Sequence, residues 1–583
     1  MIIVTLLRQL LTRRDKFVLL ILIFLSIFVS IIETVGISAI MVFVGLATNL
    51  ETVLTNKYCV KIYTLFGFTR PANFVIFVGV VLLFFYLFRA VLTIFYTYLA
   101  NYYAFRRQHY FSCTIFNNFL HFNYNDFVTK NSSLLSQIIF SYSGSFSQVL
   151  ASMITIFAEV FTILCIYSML LYVSWKITAV LTVMLGIMVG IITKISSKKV
   201  TRSGLQNQKA SYLMGKVYTE SFWNFKFLKL IGRYDYISSK FSEVVQALVN
   251  ASITNIVWQT IPRFIIETIA FSIMISVIMY VLFMYNNANF ILPIVSMYAL
   301  AFYRFMPSIN KIFASYNQII FHKYVLNPLY EYLKHDFEML GNGSVEFEKS
   351  LEFKKISFSY STGNNILSNV SFKVSKGDRV AFVGPSGAGK STLADILMGL
   401  HIPKMGHVCI DNTPLTFKNV QSWRNKIGYI PQNVFLFDGT VAENVLCGRN
   451  YDESKIIQVL KRAQIYDFLL TKEGLDTRIG EGGVMFSGGQ KQRVAIARAL
   501  YSEPDVLVLD EATSSLDNAM EAKIMEEIYS VSARVTLIII AHRLTTIEKC
   551  NKIFRVENGQ IYQLNSWNDV AAGNWQGKQI TQT

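Results

Sequence analysis

Gly384-Pro385-Ser386-Gly387-Ala388-Gly389-Lys390-Ser391 is a loop whose residues suit phosphate. The apolar run Val380–Val383 leads into it as a buried strand, and a helical run from Thr392 through Leu400 follows. Strand, glycine loop and helix in that order are the context a phosphate loop requires. The glycines let backbone N–H groups approach phosphate oxygens, Lys390 supplies charge at the outer phosphates, and the Ser391 hydroxyl suits Mg²⁺. Gly384, Ser386, Gly387, Gly389, Lys390, Ser391 and Thr392 are the candidate nucleotide contacts. A glycine-rich turn without nucleotide is the bland alternative, and the flanking elements argue against it.

A second apolar strand, Val506-Leu507-Val508-Leu509, ends in Asp510-Glu511, 120 positions after Lys390. Asp510 suits a Mg²⁺ ligand, and Glu511 can polarise an attacking water. Between the two lies Ser487-Gly488-Gly489-Gln490, which opens a helix running through Leu500. A helix N-terminus with free N–H groups is a further anion site.

This ordered set resembles the signature of the ATP-binding-cassette family. The resemblance implies that Tyr360 stacks on adenine, that Gln432 senses Mg²⁺ and couples to the membrane portion, and that Asp517 is the acid of the loop after the second strand. It also implies that His542, 31 residues after Glu511, is the switch histidine contacting the γ-phosphate. Two departures are mild: Phe486 stands where the family usually has Leu, and Ser515 where it often has Ala. Every catalytic position is filled, so ATP hydrolysis with Mg²⁺ is expected, with Glu511, His542, Lys390 and Gln432 as catalytic residues and Ser391, Gln432 and Asp510 around the metal. In the family the signature faces the P-loop of a second cassette, and one cassette per chain implies a homodimer with two composite sites.

The elements that carry this chemistry are unlike those of a soluble enzyme. Of 583 residues, 53% are hydrophobic and only 16% charged, against about 25% charged in ordinary soluble domains. Disorder is excluded, because it needs low hydrophobicity. The net charge of +17 is unevenly placed: residues 1–344 hold 27 Lys/Arg against 12 Asp/Glu, and residues 345–583 hold 27 against 25. The excess sits in the apolar part, where cytoplasmic loops of membrane proteins collect Lys and Arg. Nucleic-acid binding loses its support. Six cysteines without a CxxC pair or a His/Cys cluster argue against a disulfide framework or structural zinc. The run Phe17–Ile32 lacks a cleavage pattern and reads as a retained first span.

Six spans of about 20 apolar residues fit the chain: 17–46, 74–100, 149–173, 175–193, 264–285 and 289–316. The basic segments between spans two and three, and between four and five, place both termini in the cytoplasm. Composition turns ordinary near Gly341-Asn342-Gly343-Ser344. The expected architecture is an all-α six-helix transmembrane domain of exporter type over 1–325, a linker over 326–344, an α/β P-loop ATPase over 345–564, and a polar tail over 565–583.

Charges within a membrane are costly and functional by default. Arg89 lies in span two, Arg263 opens span five, and Arg304 and Lys311 share a face of span six two helical turns apart. The acids are Glu33, Glu159 and Glu267. Arg263 and Glu267 are spaced to satisfy each other. Arg304 and Lys311 have no acid on their own helix within reach, which favours a cationic stripe facing a water-filled cavity and suited to a phosphate or pyrophosphate. The whole chain resembles the lipid-linked oligosaccharide flippases of bacterial protein N-glycosylation. The resemblance is carried by Ile32-Glu33-Thr34, Phe88-Arg89-Ala90, Ile261-Pro262-Arg263, Tyr303–Ser308 and the stretch Lys426–Leu544. It implies an inner-membrane flippase whose external helix, within Thr52–Phe68, meets the polyprenyl tail; Leu54, Tyr58, Ile62 and Phe66 fit one apolar face. Export of another anionic glycolipid, such as a lipid A precursor, is the alternative. A peptide exporter with its own protease lacks its Cys/His domain before span one. A DNA-acting cassette ATPase needs long coiled coils where the six spans stand.

Overall fold

A computed structural model describes residues 5–6, 9–48, 50, 52–173, 175–285, 292–334, 338, 340–360, 365–511, 518–531, 535–540, 547–564 and 578–579. The chain divides into two compact units. One comprises Met1–Leu120 and Lys130–Asp336, the other His121–Thr129 and Phe337–Thr583.

The first unit is helical. Its long helices are α1 (Arg13–Thr48), α3 (Pro71–Leu120), α5 (Ser143–Val173), α6 (Trp175–Trp223), α8 (Tyr234–Tyr285) and α9 (Leu292–Lys334). Each contains one of the six expected apolar spans, apart from the residues before Leu292 that lie outside the described set. At 1.5 Å per residue α3 is about 75 Å long, against about 30 Å of bilayer hydrocarbon. The excess is what carries these helices beyond their apolar spans. Among the described residues, the helical stretches Arg13–Ala47, Pro71–Leu120 and Ser132–Ser168 are long and apolar enough to cross a membrane.

Apolar burial alone gives little specificity between helices in lipid, so small residues and polar pairs fix the packing. Ser30 and Thr162 share a buried hydrogen bond at 2.9 Å between α1 and α5. Asn317 on α9 accepts from Ser196 of α6 at 3.0 Å and donates to the Trp258 carbonyl of α8 at 2.8 Å. Gly204 brings α6 against α9 so closely that a Cβ would lie 2.1 Å from the Phe321 carbonyl oxygen. Residues 326–334 continue α9 instead of starting a linker, because Leu326 and Leu329 are fully buried and prolong its packed face.

Between α1 and α3 a helical turn, Thr52–Thr55, leads into α2 (Lys57–Leu65), whose N-terminus is capped by the Asn56 side chain accepting from the Tyr58 N–H. Val53, Cys59 and Tyr63 pack with Leu46, Phe74 and Val75, while Leu54, Tyr58, Ile62, Leu65 and Phe66 stay exposed. Short helices lie in the connections, among them α4 (Tyr124–Val128) between α3 and α5 and α7 (Phe225–Ile231) between α6 and α8. α4 falls in the second unit, although sequence placed it within the membrane portion.

The second unit contains two sheets. Strands β1 (Ser350–Phe358), β2 (Leu367–Ser375), β4 (Met405–Ile410) and β5 (Thr413–Pro414) form an antiparallel sheet in the order β2-β1-β4-β5. The other sheet has the order β11-β10-β9-β3-β8-β7-β6, with β3 (Arg379–Val383), β6 (Ile427–Ile430), β7 (Val506–Asp510), β8 (Thr536–Ile540) and β9 (Lys552–Glu557) parallel. β10 (Gln560–Leu564) and β11 (Lys578–Gln579) close it antiparallel, so two residues of the expected tail add a strand. A parallel sheet covered on both faces reads as continuous apolar sequence. Val380 and Phe382 enter one core with Phe372 and Phe554, while Ala381 and Val383 enter the other with Leu507 and Ile539.

Candidate nucleotide site and the charged membrane helices

The P-loop leaves β3 and ends in α10 (Lys390–Leu397). Gly384, Gly387 and Gly389 all have positive φ, at 145°, 78° and 101°. At Gly384 a Cβ would lie 2.2 Å from the Val556 carbonyl oxygen, so neither the conformation nor the space admits a side chain. Lys390 is buried, and its Nζ donates to the carbonyls of Gly384 at 2.9 Å and Pro385 at 3.0 Å. Burial holds this ammonium below its ordinary range, opposed by Glu511 and Asp510. The charge of the two acids at the end of the second strand is thus felt at the P-loop lysine. Ser386 and Ser391 are exposed at the loop, and Thr392 is buried with its hydroxyl 3.2 Å from that of Tyr360.

β7 lies one strand away from β3, with β8 between them, and delivers Asp510 and Glu511 at its end. Glu511 has φ 49°, a left-handed conformation that a non-glycine residue rarely takes. Its N–H donates to the Ile540 carbonyl at 3.0 Å, so β8 holds the turn. Gln432, two residues after β6, donates from Nε2 to Glu511 Oε2 at 2.5 Å. Ser391 hydroxyl, Asp510 carboxylate and the Gln432 amide oxygen are hard oxygen donors that fit Mg²⁺, which takes few protein ligands and keeps water and phosphate oxygens. When bound, that ion neutralises charge on the transferring phosphate.

The signature forms the N-terminus of α11 (Gly488–Tyr501). Ser487 and Gln490 make a reciprocal capping box: Gln490 N–H donates to Ser487 Oγ at 3.3 Å, and Ser487 N–H donates to Gln490 Oε1 at 2.8 Å. Gly488 and Gly489 are the first residues of the helix. Asp517 and His542, together with Ser515, lie outside the described residues.

Sequence did not single out Asp395, His401, Tyr429 or Tyr124, which surround this site. Burial, then the nearby Asp510, pushes Asp395 up to about 6. Burial also raises Tyr429, followed by the effect of Asp510, to which it hydrogen-bonds. Tyr429 alternates outward between buried Gly428 and Ile430, a period-2 signal that could have marked it. Nothing in the sequence pointed to Tyr124.

In the membrane unit, Arg89 Nη2 meets Glu33 Oε1 at 3.1 Å between α3 and α1, and Arg263 Nε lies 3.8 Å from Glu267 Oε2 along α8. Lys311 Nζ meets Glu159 Oε1 of α5 at 2.5 Å. The expectation of an unpaired Lys311 is corrected: its acid comes from another helix. Lys311 remains about half exposed while Glu159 is 10% exposed. Arg304 lies on α9, its side chain outside the described residues.

With this geometry in place, residues 367–514 match the ABC transporter family and residues 17–307 its ABC transporter transmembrane region. An ATP-dependent lipid A-core flippase of Pectobacterium atrosepticum is 31% identical over 456 residues, covering 76% of this chain and 77% of that protein. The chain belongs to the ABC transporters. It is an exporter-type half transporter, a helical transmembrane domain followed by an ATPase that is coupled to transport. The heterocyst differentiation ATP-binding protein HepA of Nostoc sp. is 30% identical, covering 70% of this chain and 67% of that protein. The structure of a bacterial Atm1-family ABC exporter with ATP bound superposes with a TM-score of 0.77 at 23% identity, over 93% of this chain and 96% of that one. That likeness concerns the fold.

Proposed function

We propose that this ABC exporter uses ATP to flip an anionic glycolipid across the bacterial inner membrane, working as a homodimer with its cassettes in the cytoplasm. The observation that carries the cargo class is Lys311, a half-exposed ammonium held on α9 by Glu159 among apolar helices. A cation kept at that cost suits a phosphorylated head group. Relatives named lipid A-core flippases, at 31% and 27% identity, favour a cargo of that kind. Arg304 on the same helix, and Arg89 and Arg263, extend the candidate cargo contacts.

A second reading, a polyprenyl-pyrophosphate-linked oligosaccharide for protein N-glycosylation, is favoured by α2. With Leu54 of the preceding turn and Phe66 just after it, its exposed Tyr58, Ile62 and Leu65 form an apolar surface outside the span helices, suited to a lipid tail. The homodimer is supported by the single P-loop and single signature in the chain. It is also supported by α7 and its flank, where Trp223, Phe225, Phe227 and Leu230 are 50 to 82% exposed, an apolar surface that a second copy can cover.

In this reading the P-loop amides and Lys390 bind the ATP phosphates, with Ser391, Asp510 and Gln432 holding Mg²⁺. Glu511 orients the attacking water, His542 contacts the γ-phosphate, and Asp517 is the acid of the loop after the second strand, while Ser487–Gln490 complete the site of the other copy. Purified protein reconstituted in liposomes should show ATPase stimulation and flipping with a lipid A-core glycolipid. Stimulation by a polyprenyl-pyrophosphate oligosaccharide alone would select the second reading, and stimulation by neither would reject the anionic glycolipid class.

A further inference from the structure

His401 follows α10 in the turn before β4 and is 2% exposed. Three rings enclose its imidazole. It stacks on Phe358 at 5.0 Å and 27°, meets Tyr360 edge-on at 5.4 Å and 83°, and meets Tyr124 of α4 at 5.2 Å and 51°. Phe358 also meets Tyr360 edge-on, at 5.2 Å and 85°. Nδ1 has no hydrogen-bond partner, and Nε2 lies 3.7 Å from Asp395 Oδ2. Burial pushes the ring down to about 4, so at neutral pH it is uncharged. Packing, rather than a charge or a strong hydrogen bond, sets its place.

The two tyrosines come from distant stretches of the chain within the second unit. Tyr124 sits on the short helix in the connection from α3 to α5, that is, between two long membrane-unit helices. Tyr360 closes the other side, its hydroxyl 3.2 Å from Thr392 Oγ1 on the P-loop helix, and the residue is 38% exposed. Aromatic pairs hold preferred angles, and close-packed interiors shift between discrete arrangements more readily than they deform. A displacement of Tyr124 therefore cannot leave the Tyr360 ring unmoved while His401 fills the space between them.

We propose that His401 is a positioning residue that registers the Tyr360 ring against α4, so that binding the adenine end of ATP and placing α4 are one linked equilibrium. The inference rests on the reading that Tyr360 stacks on adenine. It assigns to His401 a planar spacer's role: Phe can fill it and Leu cannot.

The test uses the full-length protein in lipid nanodiscs, with KM and kcat for ATP, inhibition by inorganic tripolyphosphate, and melting temperature measured on the same preparations. Tripolyphosphate reports the P-loop without a base. His401→Leu is expected to raise KM for ATP about fivefold to tenfold, more than it changes kcat, with tripolyphosphate inhibition kept. His401→Phe should restore KM. Tyr124→Ala should give the same shift as His401→Leu, and the double variant no more than either alone. Loss of ATP and tripolyphosphate affinity together, failure of Phe to rescue, or additive single effects would each overturn the proposal. Tyr360→Ala separates the layers. If it leaves KM for ATP unchanged, the adenine reading falls and the inference with it. If it raises KM while His401→Leu and Tyr124→Ala do not, only the inference falls.

Discussion

Gln432 Nε2 lies 2.5 Å from Glu511 Oε2, an amide from the loop after β6 closed onto the carboxylate at the end of β7. Neither residue could place the other alone. Glu511 is aimed by a left-handed backbone turn held by Ile540 on β8, a conformation that costs about 1 kcal/mol or more outside glycine. Gln432 then fixes the carboxylate's direction. The pair joins the glutamine proposed to sense Mg²⁺ to the residue proposed to orient water.

If Glu511 polarises the attacking water, Glu511→Gln should retain Mg·ATP binding while hydrolysis falls by about 10²–10⁴-fold, the range for a positioned base. The amide keeps the shape and can still hydrogen-bond to Gln432, so melting temperature should hold. Nucleotide trapping and phosphate release on the purified protein measure the two halves. Wild-type turnover in this variant would reject the assignment.

The phosphate loop, the second strand with its acids and the six long helices were legible because each has a local pattern. Val380–Val383 is buried on both faces, Gly384 has no room for a Cβ, and the charge-poor runs are long. The Lys311–Glu159 pair was hidden because its members stand 152 positions apart and sequence offers partners only along one helix. His401 was hidden for a related reason. Its three rings come from β1, the segment after it and a connection between membrane helices, which only the tertiary fold brings together. Residues 326–334 lie past the last apolar span and read as linker, yet Leu326 and Leu329 are buried and α9 runs on through Pro328 to Lys334.

One P-loop and one signature per chain make complementation a direct test of shared sites. Lys390→Ala removes the charge at the outer phosphates, and Ser487→Arg inserts a bulky cation where the capping box with Gln490 now stands. Each homodimer should lose ATPase activity by about 10²-fold or more. A linked heterodimer of the two should regain one intact site and trap one nucleotide per dimer. Absence of trapped nucleotide in that heterodimer would count against a site shared between copies.

Asp395 and His401 should give opposite acid responses. Asp395 is held at about 6 against an ordinary 3.8, so the folded protein binds the extra proton, and the stability it contributes falls as pH rises through that window. His401 is held at about 4 against 6.5, so its contribution falls as pH drops from 6.5 to 4. Between pH 4 and 6 the two slopes oppose each other. Asp395→Asn should leave the histidine slope uncovered, up to about 1.4 kcal/mol per pH unit, and His401→Phe should leave the aspartate slope, with melting temperature rising toward acid. Melting curves from pH 4.5 to 7 decide it. Parallel pH profiles for wild type and both variants would show that neither group titrates as described.

Lys311 separates a structural ion pair from a cargo contact. Lys311→Met strands Glu159, whose Oε2 already lacks a hydrogen-bond partner, in a site from which ions are expelled. Breaking a fully buried pair costs about 3–5 kcal/mol. The half-exposed lysine end screens this one, so a loss nearer about 1–2 kcal/mol and a fall of a few degrees in melting temperature are expected. Adding Glu159→Gln removes the stranded charge and should recover the melting temperature. The two roles then predict different transport. A structural pair predicts that Glu159→Gln/Lys311→Met flips lipid as the wild type does. A cargo contact predicts normal folding and basal ATP hydrolysis with flipping below about a tenth, because a lost charge-assisted contact to phosphate, about 1.5–3 kcal/mol, then acts on the head group alone. Arg304→Lys, which keeps charge and removes the planar fork, should weaken flipping in the second case and leave it intact in the first. The assay is glycolipid flipping in proteoliposomes beside ATPase and melting curves. Unimpaired flipping by the well-folded double variant would remove Lys311 from the cargo path and with it the charge argument for an anionic head group.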